Sequence, residues 1–202
     1  MKKLLVIMGL LLLAIPAMAQ EEGTGLTAKG FKAGINLANF TGDQAGDSDM
    51  KLGIAAGGFL TYNFSPQFAI QPELLYIMKG AKHGSGDAEE KMKLDYLEVP
   101  LMFKFAIPSQ GNFKPCLFAG PSFGFLMSAK HEEAGESVDI KDDVKSMDMG
   151  LSFGGGFGVA MAAGGMVTFD ARYTMGMSSI DDTGDDADIK NTGIMILLGY
   201  GF

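Results

Sequence analysis

The chain has 202 residues and a formal net charge of −8, with 29 glycines, seven prolines, one cysteine and no tryptophan. This glycine-rich composition disfavours a helical bundle and favours an all-β chain. The acidic charge disfavours nucleic acid as a partner, because phosphate binding needs clustered lysine and arginine. A single cysteine excludes an internal disulfide.

The first 19 residues have the pattern of a secretory signal peptide. Lys2 and Lys3 precede an apolar run over residues 4–16, and residues 17–19 read Ala-Met-Ala, a small-x-small cleavage pattern. The run is shorter than the ~20 residues that a membrane-spanning helix needs. We therefore expect residues 1–19 to be removed on export. Residues 20–27 then form a short N-terminal segment and residues 28–202 form one β-barrel domain.

Eight segments of this domain alternate between apolar residues and polar or small residues. A period of two predicts β-strands. Each segment is at least as long as the ~9–11 residues that a tilted transmembrane strand requires. The predicted strands are Ala28–Phe40, Leu52–Phe64, Phe68–Gly80, Met92–Ile107, Phe113–Ala129, Val144–Met161, Met166–Met177 and Asn191–Phe202.

Short and long connections alternate between these segments. The short turns are residues 65–67, 108–112 and 162–165, and the long connections are residues 41–51, 81–91, 130–143 and 178–190. The short turns carry no charged residue, whereas the long connections carry seventeen of the 24 acidic residues against six lysines. This layout is typical of an up-and-down membrane barrel with tight periplasmic turns and long acidic outer loops.

One face of the predicted strands is apolar, and the other is polar or glycine-rich. A cationic side chain facing lipid at mid-bilayer costs ~2–4 kcal/mol, so the apolar face should point outward. The polar face then fills an interior that is just wide enough for side chains. Because unpaired buried charges are costly, we predict a plugged lumen braced by ion pairs. The predicted lumen network is Glu73, Lys79, Glu98, Lys104, Asp148, Asp170 and Arg172, with Lys32 and Lys114 on the same face.

The last predicted strand places Tyr200 and Phe202 on one face, opposite Gly199 and Gly201. This pattern resembles the closing strand of bacterial outer-membrane β-barrels, in which the terminal strand also serves as the assembly signal. We therefore expect an all-β, eight-stranded antiparallel up-and-down transmembrane barrel in the bacterial outer membrane. Its expected partners are outer-membrane lipid and the barrel assembly machinery.

Four segments together resemble the PorT-like family of small outer-membrane β-barrel proteins. They are residues 31–38 (FKAGINLA), 71–76 (QPELLY), 94–101 (LDYLEVPL) and 117–121 (LFAGP). The resemblance covers almost all of the chain after residue 19. It implies an eight-stranded outer-membrane barrel, in most members without a defined biochemical activity. One member is associated with protein secretion and gliding, which implies an accessory role in secretion as an alternative.

Four prolines lie inside predicted strands, namely Pro72, Pro100, Pro115 and Pro121. A closed barrel has no free edge at which the missing N–H would be harmless. We therefore expect β-bulges at some of these positions.

Catalytic chemistry has few candidate residues. His83 and His131 are the only histidines, and both lie in or beside long connections. Ser128, His131 and Glu132 are the nearest approach to a nucleophile, a base and an orienting acid. Closeness in sequence is poor support for such a triad, so we predict no catalytic residues and a solvated loop histidine.

The acidic connections could also attract calcium, which prefers six to eight oxygen ligands. The candidates are Asp181, Asp182, Asp185, Asp186 and Asp188. No EF-hand spacing with its closing glutamate is present. We therefore predict no metal site and instead a solvated acidic rim, or loose divalent-ion bridging to lipopolysaccharide.

These patterns predict a non-enzymatic outer-membrane barrel, structural or interaction-mediating, whose acidic loops contact a surface ligand or an envelope protein. No cofactor is expected. Besides the secretion role, the alternatives are a narrow channel, an outer-membrane enzyme and a soluble lipocalin-like binder of a small hydrophobic ligand. The lipocalin-like alternative requires Phe103, Phe123 and Phe169 to line a dry central cavity, since its apolar face points inward.

Overall fold

The computed structural model describes residues 24–84, 89–184 and 187–202. The expected signal peptide, residues 20–23 and the pair Asp185 and Asp186 lie outside this range. None of the helical segments it describes is long and apolar enough to cross a membrane. The strands are β1 (Gly25–Thr41), β2 (Asp49–Asn63), β3 (Phe68–His83), β4 (Glu90–Ala106), β5 (Phe113–Glu133), β6 (Glu136–Asp139), β7 (Met147–Ala160), β8 (Met166–Gly176) and β9 (Lys190–Gly201). A short 3-10 helix covers Lys141–Asp143.

Eight of these strands form a closed antiparallel barrel. The hydrogen-bonded order runs β4-β3-β2-β1-β9-β8-β7-β5, and β4 also pairs with β5, which closes the cylinder. The short strand β6 pairs with the far end of β5 and extends it as a hairpin beyond the barrel wall. The predicted eight-stranded up-and-down barrel is therefore confirmed.

Most strands extend further toward the long connections than the sequence predicts. β3 continues to His83 and β4 begins at Glu90, so the expected connection over residues 81–91 shrinks to residues 84–89. β2 begins at Asp49 and shortens the first long connection in the same way. These extensions carry polar residues on both faces, as at the adjacent residues Lys82 and His83 of β3. The apolar alternation stops before the hydrogen-bonded ladder does. At the other end, β1 begins at Gly25, three residues before the expected Ala28.

The strands alternate between exposed apolar residues and buried polar or small residues. In β1, Phe31 is 68% exposed while Lys32 is 4% exposed. Successive side chains of a strand point to opposite sides of the sheet, so each strand presents one face to the interior and one to the surroundings. Phe103 and Phe123 lie on the outer face. The lipocalin-like alternative, which needs these rings inside, is therefore wrong.

The prolines do not produce the expected bulges. The pairing register continues unshifted past Pro72 opposite Leu101 and past Pro121 opposite Leu151. It is likewise unshifted at Pro100 and Pro115. A missing N–H removes one hydrogen bond but inserts no residue, and the neighbouring pairs hold the register. The irregularities lie elsewhere, between Leu26 and Ala28, Met50 and Ala55, and Asp95 and Tyr96.

An apolar cluster fills the barrel where the long connections emerge. We call it the mouth cluster. Two long connections fold over the opening and are tied together by an isolated bridge between Val144 and Asp181 and by a hydrogen bond from Lys145 N to Ile180 O of 2.8 Å. The mouth cluster consists of Leu94, Tyr96, Leu126, Ala129, Val144 and Ile180, with Phe40, Met92, Ile140 and Ile189 packed against it.

Candidate functional site

Most charged side chains inside the barrel come from the buried faces of β1, β3, β4, β7 and β8, and β2 contributes Lys51. Strand alternation positions them, because every second residue of these strands points inward. They form two separate groups along the barrel axis. The turn-side cluster contains Lys32, Glu73, Asp170 and Arg172, and the loop-side cluster contains Lys79, Glu98 and Asp148.

The turn-side cluster pairs two cations with two carboxylates. Lys32 Nζ lies 2.8 Å from Glu73 Oε1 and 2.7 Å from Asp170 Oδ2. The Arg172 guanidinium donates two hydrogen bonds to Glu73, of 2.9 Å and 3.1 Å, in the bidentate geometry that suits arginine and carboxylate. Gln71 Nε2 donates a further hydrogen bond of 2.7 Å to Glu73. The cluster has no net charge, and each of its carboxylates is paired with a cation of the cluster, whereas Arg172 Nε is buried without a hydrogen-bond partner.

The loop-side cluster centres on one lysine between two carboxylates. Lys79 Nζ lies 2.5 Å from Glu98 Oε2 and 3.1 Å from Asp148 Oδ2. Asn191 Nδ2 donates to Asp148 Oδ2 over 2.9 Å and lies 3.4 Å from the Tyr96 hydroxyl, which joins the ion pairs to the mouth cluster. A second cation lies nearby, because Lys51 Nζ donates to the Lys79 carbonyl over 2.9 Å.

The structure places all seven predicted network residues inside the barrel, and six of them belong to the two clusters. Lys104 is the exception, because it donates a 3.0 Å hydrogen bond to Gln71 Oε1 and to no carboxylate that the structure describes. Lys114, expected on the inner face, is exposed at the barrel end. Sequence reasoning missed Lys51, which it assigned to a loop. The sequence does contain the pattern that would have placed Lys51 in a strand, because residues 49–51 continue the alternation of β2.

A cavity opens at the end of the barrel where the short turns lie. We call it the turn-side cavity. Its volume is about 420 Å³, and every barrel strand contributes to its walls. Gln71 and Asp170 of the deeper polar layer form its floor, and Lys104, Lys114 and Cys116 line its side. The two ends of the barrel therefore differ, because apolar side chains fill the loop end and the turn end is hollow.

The catalytic candidates do not come together. Ser128 and His131 lie on one regular stretch of β5, paired with Asp95 and Met92 respectively. Residues three apart on a strand point to opposite faces and lie ~10 Å apart. Glu132 instead pairs with Lys93 at 2.5 Å.

Two of the three described acidic side chains of the last long connection have partners within the protein. Asp181 Oδ1 accepts a hydrogen bond from Thr183, and Asp188 Oδ2 pairs with Lys190 at 2.8 Å. Asp182 is held only through its backbone, whose N–H donates to the Asp143 carbonyl over 3.0 Å. Among the residues that the structure describes, no group of three or more histidine, cysteine, aspartate or glutamate side chains could hold a metal ion. Asp185 and Asp186 lie outside those residues.

Comparison with known proteins supports the barrel and names its family. The family model described as "Outer membrane protein beta-barrel domain" matches residues 18–182. Neisserial surface protein A is 11% identical, with a TM-score of 0.53 over 86% of this chain and 97% of that chain. Ail, the attachment invasion locus protein of Yersinia pestis, is 16% identical, with a TM-score of 0.45 over 89% and 99%. No curated protein sequence matches the chain significantly.

At 11% identity and a TM-score of 0.53, the likeness to Neisserial surface protein A shows the fold alone. The family match shows more than the fold, because it covers most of the chain. It runs from before β1 into the connection after β8. It also agrees with a closed barrel whose outer face is apolar. The chain therefore belongs to the family of outer membrane protein beta-barrel domains, and its location is the bacterial outer membrane.

Proposed function

We propose that this protein is a non-enzymatic outer-membrane barrel without a pore, which mediates interactions through its acidic outer loops. The observation that carries this proposal is the filled interior. Two ion clusters and the mouth cluster succeed one another along the barrel axis between the loop end and the turn-side cavity. Because Lys32, Glu73 and Arg172 are at most 4% exposed, no aqueous path runs between them.

Channel formation is tested by conductance in planar bilayers. We expect the purified barrel to give no steady conductance, since opening a path would separate buried ion pairs from their partners. A double variant, Lys32→Ala with Arg172→Ala, removes the two large cations and is the matched positive control for an opened interior. Steady conductance of the unmodified protein would contradict the sealed barrel.

The outer surface supports the interaction role. The β5–β7 connection, with its β6 hairpin, and the β8–β9 connection are tied together over the mouth cluster, so their acidic side chains are presented on an ordered platform. Exposed acidic residues on this platform include Asp142 and Asp143. A fixed array of negative charge attracts basic surfaces and divalent ions and raises the rate of encounter.

Photo-crosslinking in living cells tests this role. A photoreactive residue at Asp142 should give discrete adducts that weaken at high salt, because charge attraction is screened. A probe at Asn112, in a short turn, is the matched control and should not give the same adducts. If the two positions give identical adducts or none, the loops do not mediate interactions.

Export and assembly complete the proposal. A signal peptide cleaved after Ala19 would deliver the chain, and mass spectrometry of the isolated protein tests this by reading the N-terminal residue. Phe202 would be read by the assembly machinery, and it exchanges two backbone hydrogen bonds with Lys29 in the folded barrel. PorT-like membership, with an accessory role in secretion, stays a prediction, and secretion measured in a deletion strain tests it.

A further inference from the structure

The turn-side cavity has the dimensions of a small-molecule site. Its volume of about 420 Å³ falls within the range of ~300–1,000 Å³ typical of ligand pockets. Strand residues form most of its wall, so its shape is largely fixed by the barrel, and the turn residues Ser65, Pro66, Gln67 and Gly165 complete the lining. The short turns at this end are too small to fold over the opening.

The charge in this cavity is unlike that deeper in the barrel. Lys32 and Lys79 each contact two carboxylates, whereas neither Lys104 nor Lys114 forms an ion pair with a carboxylate among the described residues. The carboxylate at the floor, Asp170, is already paired with Lys32 at 2.7 Å. The cavity therefore presents two cations that no neighbouring acid neutralises.

The rest of the wall is largely apolar. The inward-facing apolar residues that line it are Phe59 and Met166, together with Ala28, Ala69 and Ala106. Inorganic phosphate would satisfy the lysines but leave these apolar side chains uncovered. A neutral hydrocarbon would cover them but leave both lysines without a counter-ion. A ligand with both an anionic head and an apolar chain satisfies both requirements, since burying apolar surface and forming charge-assisted hydrogen bonds are each favourable.

We propose that the turn-side cavity binds a small amphipathic anion, a carboxylate or phosphate head on a single apolar chain. Lys104 holds the head within the cavity, with Lys114 adding positive charge at its rim. The apolar chain lies against Phe59 and Met166. Because the cavity opens at the short-turn end of an outer-membrane barrel, its ligand enters from the periplasmic side. This binding is independent of the acidic outer loops at the opposite end.

Cys116 provides a direct readout, because it lines the cavity, is only partly buried and is the single cysteine of the chain. The experiment uses the full-length protein in nanodiscs and measures the rate of Cys116 alkylation by a maleimide. We expect decanoate to slow alkylation and to bind about ten-fold more tightly than decanol, which has the same chain without the charge. Decanoate added to the buffer and a lysophosphatidate built into the nanodisc separate a soluble source from a membrane source.

Two substitutions locate the site. Lys104→Gln should weaken decanoate binding about ten-fold and leave decanol unchanged, and Lys104→Arg should restore binding. Lys114→Gln should weaken it less and does not disturb the fold, since this side chain is exposed. Lys130→Gln, an exposed lysine at the loop end, is the matched control. Equal affinity for decanoate and decanol, or decanoate protection that survives both the Lys104→Gln and the Lys114→Gln substitution, would overturn the proposal.

Discussion

The two ends of the barrel are built from connections of different length, and they are closed to different degrees. At the loop end, Val144 and Ile180 reach back from the long connections into the barrel and complete an apolar core. At the turn end, the connections span only residues 64–67, 107–112 and 161–165, and they leave a cavity of about 420 Å³. An eight-stranded cylinder is therefore not filled uniformly, because a short turn cannot supply the side chains that a long loop can.

The two ion clusters between these ends also differ, in how they are connected to the rest of the protein. The turn-side cluster balances its charges without help from outside the strands, whereas the loop-side cluster is joined through Asn191 and Tyr96 to the mouth cluster. This difference predicts that changes near the loop end affect loop order as well as barrel stability. Changes in the wall of the turn-side cavity should affect ligand binding more than stability.

The largest loss of stability is expected from a change in the turn-side cluster, which separates the two ends of the barrel. Glu73→Gln removes the carboxylate that binds both Lys32 and Arg172, leaving two buried cations to share Asp170. We expect the free energy of unfolding in lipid vesicles to fall by about 3–5 kcal/mol, the usual cost of breaking a buried ion pair. Glu136→Gln, at an exposed position of β6, is the control and should change little. A loss below about 1 kcal/mol would mean that the cluster does not brace the barrel.

The next effect concerns the loop end. Ile180→Ala removes a side chain that is 3% exposed in the mouth cluster and leaves a cavity there. Such truncations cost about 2–5 kcal/mol, and here the loss should appear as local opening of the β8–β9 connection. We expect faster cleavage of this connection by proteinase K on intact cells, while the barrel fragment stays protected. Val138→Ala, at an exposed site of the β6 hairpin, should leave the rate unchanged.

The wall between the two ends is expected to face hydrocarbon. Phe123→Arg, near the middle of β5, should lower the unfolding free energy in vesicles by about 2–4 kcal/mol, because it places a cation in lipid. Phe113→Arg, at the turn end of the same strand, should cost only about 0–1 kcal/mol. Equal costs at the two depths would show that this face does not cross a bilayer.

The smallest effect is expected at the rim of the turn-side cavity. Lys114→Ala removes an exposed side chain without an ion pair among the described residues, so unfolding free energies should agree within about 0.5 kcal/mol. Denaturant titration in vesicles checks this. A larger loss would mean that Lys114 braces the barrel, and the contrast between a packed end and a hollow end would then be weaker.

The sequence alone predicted the fold class and the direction of most side chains, because a barrel in lipid imposes a strict period of two. Phe31 and Lys32 show this, since adjacent residues must differ sharply in polarity. The sequence did not predict where strands end, because beyond the bilayer both faces are polar, as at Lys82 and His83. Lys51 is a different case, because the alternation continues through Met50 and Lys51 and would have placed Lys51 in β2.

The sequence could not predict which charged side chains pair inside the barrel, for a different reason. Lys32 and Asp170 lie on strands far apart in the chain, and only the register of the closed sheet brings them within 2.7 Å. The sequence contained the charges but not their partners. It gave no sign of the turn-side cavity either, since an unfilled volume depends on side chains from every strand at once.

The pairing of β1 with β9 has a consequence for how the molecule forms. Nearly all other barrel contacts join strands that are neighbours in the chain, whereas this ladder joins Gly30 to Gly201 and Thr41 to Lys190, and Lys29 to Phe202 by two further hydrogen bonds. Ordering so long an intervening segment is entropically costly, so contacts between distant parts of a chain tend to form late. The folding chain should therefore pass through an open, curved sheet in which β1 and β9 are not yet paired, and their pairing should be the last step.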